Sequence, residues 1–151
     1  MQKSLVIDPL LCTGCEQCEL ACSYSHGEGF NPAKSRIVIY EFGHGEKIVP
    51  YTCTQCAEAW CARACPVDAL KRNHDTGAIE VLEDVCVGCK VCTIACPFGT
   101  VNYNADTGKV AKCDLCGGDP ACVDACPTKA ITYQSAELTG LDKMRSWAAK
   151  L

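Results

Sequence analysis

Nowhere in the 151 residues is there an apolar run approaching the roughly twenty that a membrane helix needs. The opening segment, Met1 to Pro9, also lacks the apolar stretch of a secretory signal, so the expectation is a soluble, cytoplasmic chain with no membrane span. Gly27 and Gly29, and Gly43 and Gly45, are not part of any G-x-G-x-x-G segment, which excludes the common dinucleotide fingerprint. Positive charge is in short supply as well. Fourteen Lys and Arg stand against 18 Asp and Glu, a formal charge of −4 that argues against nucleic acid as a partner. A chain this short holds one or two small domains, near the lower limit of what an apolar core supports unaided.

What the sequence does have is cysteine, 16 residues in four runs. Secreted chains this rich in cysteine are stapled by disulfides, but in a reducing cytosol clustered thiols are read as metal ligands. Cys86, Cys89, Cys92 and Cys96, followed by Pro97, form the C-x2-C-x2-C-x3-C-P pattern by which bacterial ferredoxins hold 4Fe-4S clusters. Cys53, Cys56, Cys61 and Cys65, followed by Pro66, form the same pattern with two residues inserted. In that arrangement three close cysteines hold one cluster and the fourth reaches across to its neighbour. The expected sets are therefore Cys53, Cys56, Cys61 with Cys96, and Cys86, Cys89, Cys92 with Cys65. Zinc ribbons also use C-x2-C pairs, but not three cysteines plus a proline-flanked fourth.

The runs themselves repeat. Residues 3–22 and 77–96 each read as an apolar strand, an acidic turn and C-x-G-C-x2-C-x3-C, while Cys53 to Leu70 matches Cys113 to Ile131 apart from one extra residue before the third cysteine. A repeat of this length sets the architecture more firmly than local propensity does. Twenty residues separate Cys65 from Cys86 and thirty separate Cys22 from Cys53, which makes the middle two runs the compact unit and leaves the outer two to meet across it. The nested pairing puts one cluster on Cys12, Cys15, Cys18 and Cys126 and another on Cys113, Cys116, Cys122 and Cys22. Pairing the first run with the second and the third with the fourth is the alternative.

The expected fold class is α+β: two interleaved bacterial-ferredoxin-like two-cluster units of short strands and helices, plus a C-terminal amphipathic helix. Residues 1–30 and 105–134 form the outer unit, 31–50 an insertion, 51–104 the inner unit and 135–151 the helix. Strands are expected at Ser4 to Ile7, Arg36 to Glu41, Ile79 to Leu82, Val101 to Tyr103 and Ala130 to Tyr133. Brief helices are expected after the third cysteine of each run. Asp75-Thr76-Gly77 and Asp106-Thr107-Gly108 supply turn chemistry. Ser25 to Ser35 and Gly43 to Pro50 read as surface insertions covering the clusters.

Thiolates at i, i+3 and i+6 present three sulfurs to three corners of a cube, and a distant fourth completes it. Gly14 and Gly88 let the backbone bend closely around such a cube, with N–H groups free to point at its sulfides. Proline after Cys65, Cys96 and Cys126 stops the preceding helix, whereas Cys22 is followed by Ser23, which redirects the chain into the insertion. Val85, Val87, Val91 and Ile94 are expected to shield the cluster of the third run from water, while Glu16 and Glu19 place negative charge beside the first. Trp60 and Phe98 read as packing, and His26, His44 and His74 as surface or loop-bracing groups. An oxidised core of about +2 with four thiolates carries about −2, so four clusters add roughly −8 to the chain.

The tail from Ser135 to Leu151 places Leu141, Met144, Trp147, Ala148 and Leu151 on one helical face, suited either to packing on its own chain or to anchoring in another subunit. Beyond its cysteines, H-G-E-G-F-N-P-A-K-S-R-I at 26–37 and A-C-P-F-G-T-V-N-Y-N-A-D-T-G-K-V-A-K-C-D-L-C at 95–116 resemble, across nearly the whole chain, the four-cluster ferredoxin-like electron-transfer subunits of molybdenum and tungsten pterin enzymes. The nested pairing is also what that family implies. The short length looks most like the small subunit of bacterial tungsten-dependent aldehyde oxidoreductases. That resemblance implies a larger subunit carrying a tungstopterin and a flavin subunit exchanging electrons with NAD. Similar small subunits accompany formate dehydrogenases, hydrogenases and carbon monoxide dehydrogenases.

The expected function is a one-electron relay through four 4Fe-4S clusters, with no active site of its own and no residue acting as acid, base or nucleophile. Head-to-tail self-assembly through the C-terminal helix is a further expectation. The alternative function is a free soluble polyferredoxin.

Overall fold

The structure is a computed structural model and describes residues 2–27, 29–135 and 139–149. In chain order it contains β1 (Lys3–Ile7), α1 (Gln17–Ser25), β2 (Ile37–Phe42), β3 (Lys47–Thr52), α2 (Trp60–Arg63), β4 (Leu70–Arg72), β5 (Ile79–Val81), α3 (Val91–Ala95), β6 (Asn102–Asn104), β7 (Lys109–Ala111), α4 (Ala121–Asp124), β8 (Ile131–Ser135) and α5 (Thr139–Ala148). Mixed short strands and helices of this kind are what a ferredoxin-like chain requires. Among the described residues no helix is long and apolar enough to cross a membrane.

The strands form four separate antiparallel ribbons of two strands each. One of them joins distant parts of the chain: β1 pairs with β8, Lys3 opposite Ser135 and Ile7 opposite Ile131. The same closure packs α1 against α4, while α2 packs against α3. The other three ribbons are local hairpins, β2–β3, β4–β5 and β6–β7.

Two of these hairpins share one turn, written N-x-D-T-G. Asn73 accepts from Asp75 N–H at 2.8 Å through its side chain and from Gly77 N–H at 2.8 Å through its carbonyl. Asn104 does the same with Asp106 at 3.0 Å and Gly108 at 2.9 Å. Both turns close on a glycine at positive φ, 75° and 68°, a conformation that other residues adopt only with strain. The expected D-T-G turns are thus present, with the preceding asparagine as an added lock.

Several boundaries differ from expectation. Strand β3 occupies half of Gly43 to Pro50, the segment expected to be an insertion. Pro50 argues against a strand in a sheet interior, but a two-stranded ribbon leaves one edge of each strand unpaired, where a missing N–H is tolerated. Strands β4 and β7 have three residues each, too few to show an alternating pattern, and β6 begins one residue later than expected. The helices of all four runs begin before the third cysteine, at Gln17, Trp60, Val91 and Ala121. A thiol carried on the first turn of a helix is fixed by the helix itself, which a preceding loop cannot do.

The interior is small. One cluster gathers Leu70, Ile79, Val101 and Val110 with Cys61, Cys86 and Cys92; a second gathers Ile37 and Ile131 with Cys18, Cys22 and Cys122. Ala78 and Leu115 surround Cys113 in a third. Cysteines thus occupy the positions that aliphatic side chains fill in an ordinary core. Helix α5 exposes Leu141 and Met144, at 51% and 69% of their surface. Leu151 and the side chain of Trp147 lie outside the described residues.

Candidate metal centres

All 16 cysteines are free thiols. Each run follows one local plan, which explains how a short loop aims three sulfurs inward. The residue before the second cysteine is left-handed in every run: Gly14 (φ 70°), Gln55 (50°), Gly88 (67°) and Leu115 (58°). Sequence reasoning singled out the two glycines only. Gln55 and Leu115 were missed because their residue types disfavour this backbone, and burial compensates: Leu115 is 1% exposed, and the Gln55 side chain is held by three hydrogen bonds.

The third cysteine of each run, Cys18, Cys61, Cys92 or Cys122, is buried on its helix. Cys15 and Cys89 lie exposed, and the remaining second cysteines are half-buried. After the fourth cysteine, three runs share a proline-led turn. Asp68, Gly99 and Lys129 take positive φ and donate to the carbonyls of Cys65, Cys96 and Cys126 at 3.4, 3.3 and 3.3 Å. The first run has no such turn. Without proline α1 continues through Ser23, whose hydroxyl donates to Leu20 at 3.0 Å and accepts from Asn31 N–H at 3.1 Å.

The sulfurs group as follows. Cys53, Cys56, Cys61 and Cys96 line a single hollow together with Trp60, Phe98 and Lys112. The two aromatics therefore wall a candidate centre and are also 57% and 44% exposed. Burial raises the Cys61 thiol; Lys112 opposes this, and the neighbouring Cys53 and Cys96 reinforce it. Cys92 is pushed up to about 11 by burial and by the nearby Cys65, Cys61 and Cys86. Cys122 is raised by burial and then by Cys113, Cys22, Cys116 and Cys18. Cys18 reaches about 12, mainly through burial, with Glu19 and Cys12 adding to it. Cys126 moves the other way: burial raises its thiol, but the backbone amides of Ile131 and Ala130 and the Thr128 hydroxyl outweigh it and lower it.

Buried thiols crowded in this way resist ionisation one by one, yet metals bind thiolates. A cationic core shared among four of them removes the conflict, so the donor set fits iron–sulfur clusters. The aliphatic shield expected around the third run is not formed. Val85, Val87, Val91 and Ile94 face outward at 42%, 62%, 41% and 86% exposure, because Cys86 and Cys92 take the inward positions of that loop.

Cys22 has its own brace. Its thiol is raised by burial, but hydrogen bonds from His26, Arg36 N–H and Ser35 outweigh this and lower it. His26 Nδ1 lies 2.7 Å from the Cys22 carbonyl, and Nε2 lies 3.1 Å from Asp114, which also takes Arg36 at 2.7 Å. The loop-bracing role expected of His26 is thereby met. Asp114 pushes the imidazole up to about 10, helped by Cys22, and the Asp114 carboxyl, which burial alone would raise, falls well below the usual carboxylate range through His26 and Arg36. A raised histidine stabilises the fold fully below its unfolded value of 6.5, and that contribution disappears as pH rises through about 10. Asp114→Asn is expected to cost roughly 2–3 kcal/mol, below the 3–5 of a fully buried pair because the carboxylate is 28% exposed. Anaerobic thermal melts should show the largest gap to wild type at about pH 5 to 6, below the unfolded histidine value, and a narrowing gap toward pH 10.

Comparison with known proteins agrees with this chemistry. Residues 45–136 match the model of the 4Fe-4S dicluster domain and residues 9–25 that of a 4Fe-4S binding domain. The chain is 43% identical, over 75% of its length and 65% of the relative's, to the aliphatic sulfonate oxidoreductase polyferredoxin-like subunit of Pyrococcus furiosus. It is 35% identical, over 93% of its length and 72% of the relative's, to the B subunit of the anaerobic dimethyl sulfoxide reductase of Escherichia coli. Against two of the relatives the chain spans 65% and 62% of their length. A solved structure, the active site complex BamBC of benzoyl coenzyme A reductase with 1,5-dienoyl-CoA, superimposes with a TM-score of 0.52 at 27% identity, over 87% of this chain and 75% of its own. Carrying free thiols in four ferredoxin runs, and matched by the family model over 45–136, the chain belongs to the 4Fe-4S dicluster domain family.

Proposed function

We propose that this protein is a one-electron relay subunit of an oxidoreductase complex, with four 4Fe-4S clusters and no active site of its own. The ligand sets are Cys12, Cys15, Cys18 and Cys126; Cys22, Cys113, Cys116 and Cys122; Cys53, Cys56, Cys61 and Cys96; and Cys65, Cys86, Cys89 and Cys92. One observation carries the reading: thiols of successive sets are neighbours, Cys18 beside Cys122, Cys113 beside Cys53 and Cys61 beside Cys92. These contacts support an order in which the four sets follow one another. Bound clusters supply one-electron exchange, and tunnelling weakens exponentially with separation, so the chain's work is to hold its sulfurs at fixed spacing.

The outer sets contain the exposed Cys15 and Cys89, which makes the two ends of the line the points of exchange with partners. The family resemblance and the oxidoreductase relatives support a larger pterin-metal subunit, of the tungsten aldehyde oxidoreductase type, at one end, and a flavin/NAD subunit or another acceptor at the other. Leu141 and Met144 on α5 support self-assembly through the tail; sedimentation showing only discrete small complexes would count against it. Anaerobically prepared protein is expected to hold about sixteen iron atoms per chain and to give a paramagnetic signal after dithionite. Far less iron, or no signal, would overturn the relay.

A further inference from the structure

Lys112 is 2% exposed and is among the largest fully buried side chains of the molecule. Its ammonium donates to the carbonyls of Ile79 and Cys113 at 2.5 and 2.9 Å and to Gln55 Oε1 at 3.3 Å. Three donors thus meet three neutral oxygens. Asp114, Glu80 and Glu83 line a neighbouring hollow with it, but Asp114 is bound to His26 and Arg36, and Glu80 accepts from Asn73 at 2.9 Å. None of the three forms an ion pair with Lys112.

An ammonium buried without a carboxylate is costly unless some other negative charge lies close by. Such charge is at hand on both sides. Lys112 lines the hollow of Cys53, Cys56, Cys61 and Cys96, and it directly precedes Cys113 of the adjoining set. Gln55 extends the same clasp, donating to the Cys113 carbonyl at 2.7 Å and accepting from Ile79 N–H at 2.9 Å. The lysine is thereby pinned at the junction between the outer and inner halves of the line. Lys109 makes a useful contrast: it also reaches a cysteine carbonyl, that of Cys86, but is only half-buried, where salt screens it.

Resting on the relay reading above, we propose that Lys112 is a fixed positive charge shared by the two middle metal centres, raising both of their reduction potentials relative to the end centres. Added negative charge is favoured beside a buried cation, so each middle centre takes its electron more readily. The lowering effect of Lys112 on the thiols of both Cys61 and Cys113 is in keeping with this placement. Lys112 is a positioning and tuning residue; it holds no metal itself.

The test is a redox titration of the full-length chain, loaded with iron under anaerobic conditions and followed by electron paramagnetic resonance. Lys112→Met should shift two of four couples by at least tenfold in the reduction equilibrium, 59 mV downward for one electron, and the other two by less than threefold. Lys112→Arg should hold all four within threefold. High salt should not erase the shift. Four unmoved couples, or four moving together, would overturn the proposal. Should Lys112→Met lose iron, Gln55→Glu places a carboxylate against the intact ammonium, and the same two couples must fall; if they stay, the proposal is wrong. Wild-type protein lacking four couples sinks the relay reading, whereas four couples that ignore Lys112 sink this inference alone.

Discussion

Cys96→Ser is expected to remove about four of roughly sixteen iron atoms, and to remove them from the centre of the second cysteine run, not from that of its own. The reason is placement. Cys96 caps the C-terminus of α3, yet it lines the hollow of Cys53, Cys56 and Cys61, while Cys92 of its own run lies near Cys65. Burial raises the Cys96 thiol, but Thr100 through its hydroxyl and the backbone amides of Thr100, Phe98 and Gly99 outweigh this and lower it. A thiolate already favoured by its surroundings is well suited to be the closing ligand. A serine there leaves three sulfurs and a weaker oxygen donor. Because that centre is an inner one in the proposed line, electron transfer from end to end should fall by orders of magnitude while both end centres keep their signals. Iron analysis together with paramagnetic resonance checks this; a loss confined to the centre of Cys86, Cys89 and Cys92 would refute the crossed ligation.

The second large effect concerns backbone. Gly88 has φ 67°, and a Cβ added there would lie 2.1 Å from the carbonyl oxygen of Gly108 in the β6–β7 turn. Backbone cannot swing aside as a side-chain tip can. Gly88→Ala should therefore cost roughly 2–5 kcal/mol, the sum of about 1–2 for the left-handed conformation and about 1–3 for overpacking. That is a large part of the 5–15 kcal/mol by which domains are stable. Gly99→Ala is the matched control: its φ is 66°, but nothing lies within 4 Å, so only the conformational cost of about 1–2 kcal/mol applies. Anaerobic thermal unfolding should place the Gly88 variant clearly below the Gly99 variant. Equal midpoints would show that the loop and the hairpin do not touch in solution.

Legibility in the sequence varied with how local the cause was. Asp75-Thr76-Gly77 and Asp106-Thr107-Gly108 were readable as turns because a side chain two residues away and one glycine close them. Strand β3 was hidden by Pro50, whose cost depends on whether a neighbouring strand pairs with that edge. Gln55 and Leu115 were hidden for a related reason. Leu115 is held left-handed by burial, and Gln55 by burial and by partners 24 and 58 residues away, Ile79 and Cys113. Nothing local in the sequence marks Lys112, and only packing takes its ammonium out of water.

By itself the sequence determined the chemistry: four repeated cysteine runs, spaced so that three sulfurs of each must converge, leave little besides an iron–sulfur reading. Tertiary structure decided which thiol neighbours which, how α1 comes against α4 once β1 pairs with β8, and where a buried cation rests. Spacing along the chain constrains sulfurs only a few residues apart. Groups separated by a hundred residues are brought together by strand pairing and burial, which no single stretch of sequence encodes.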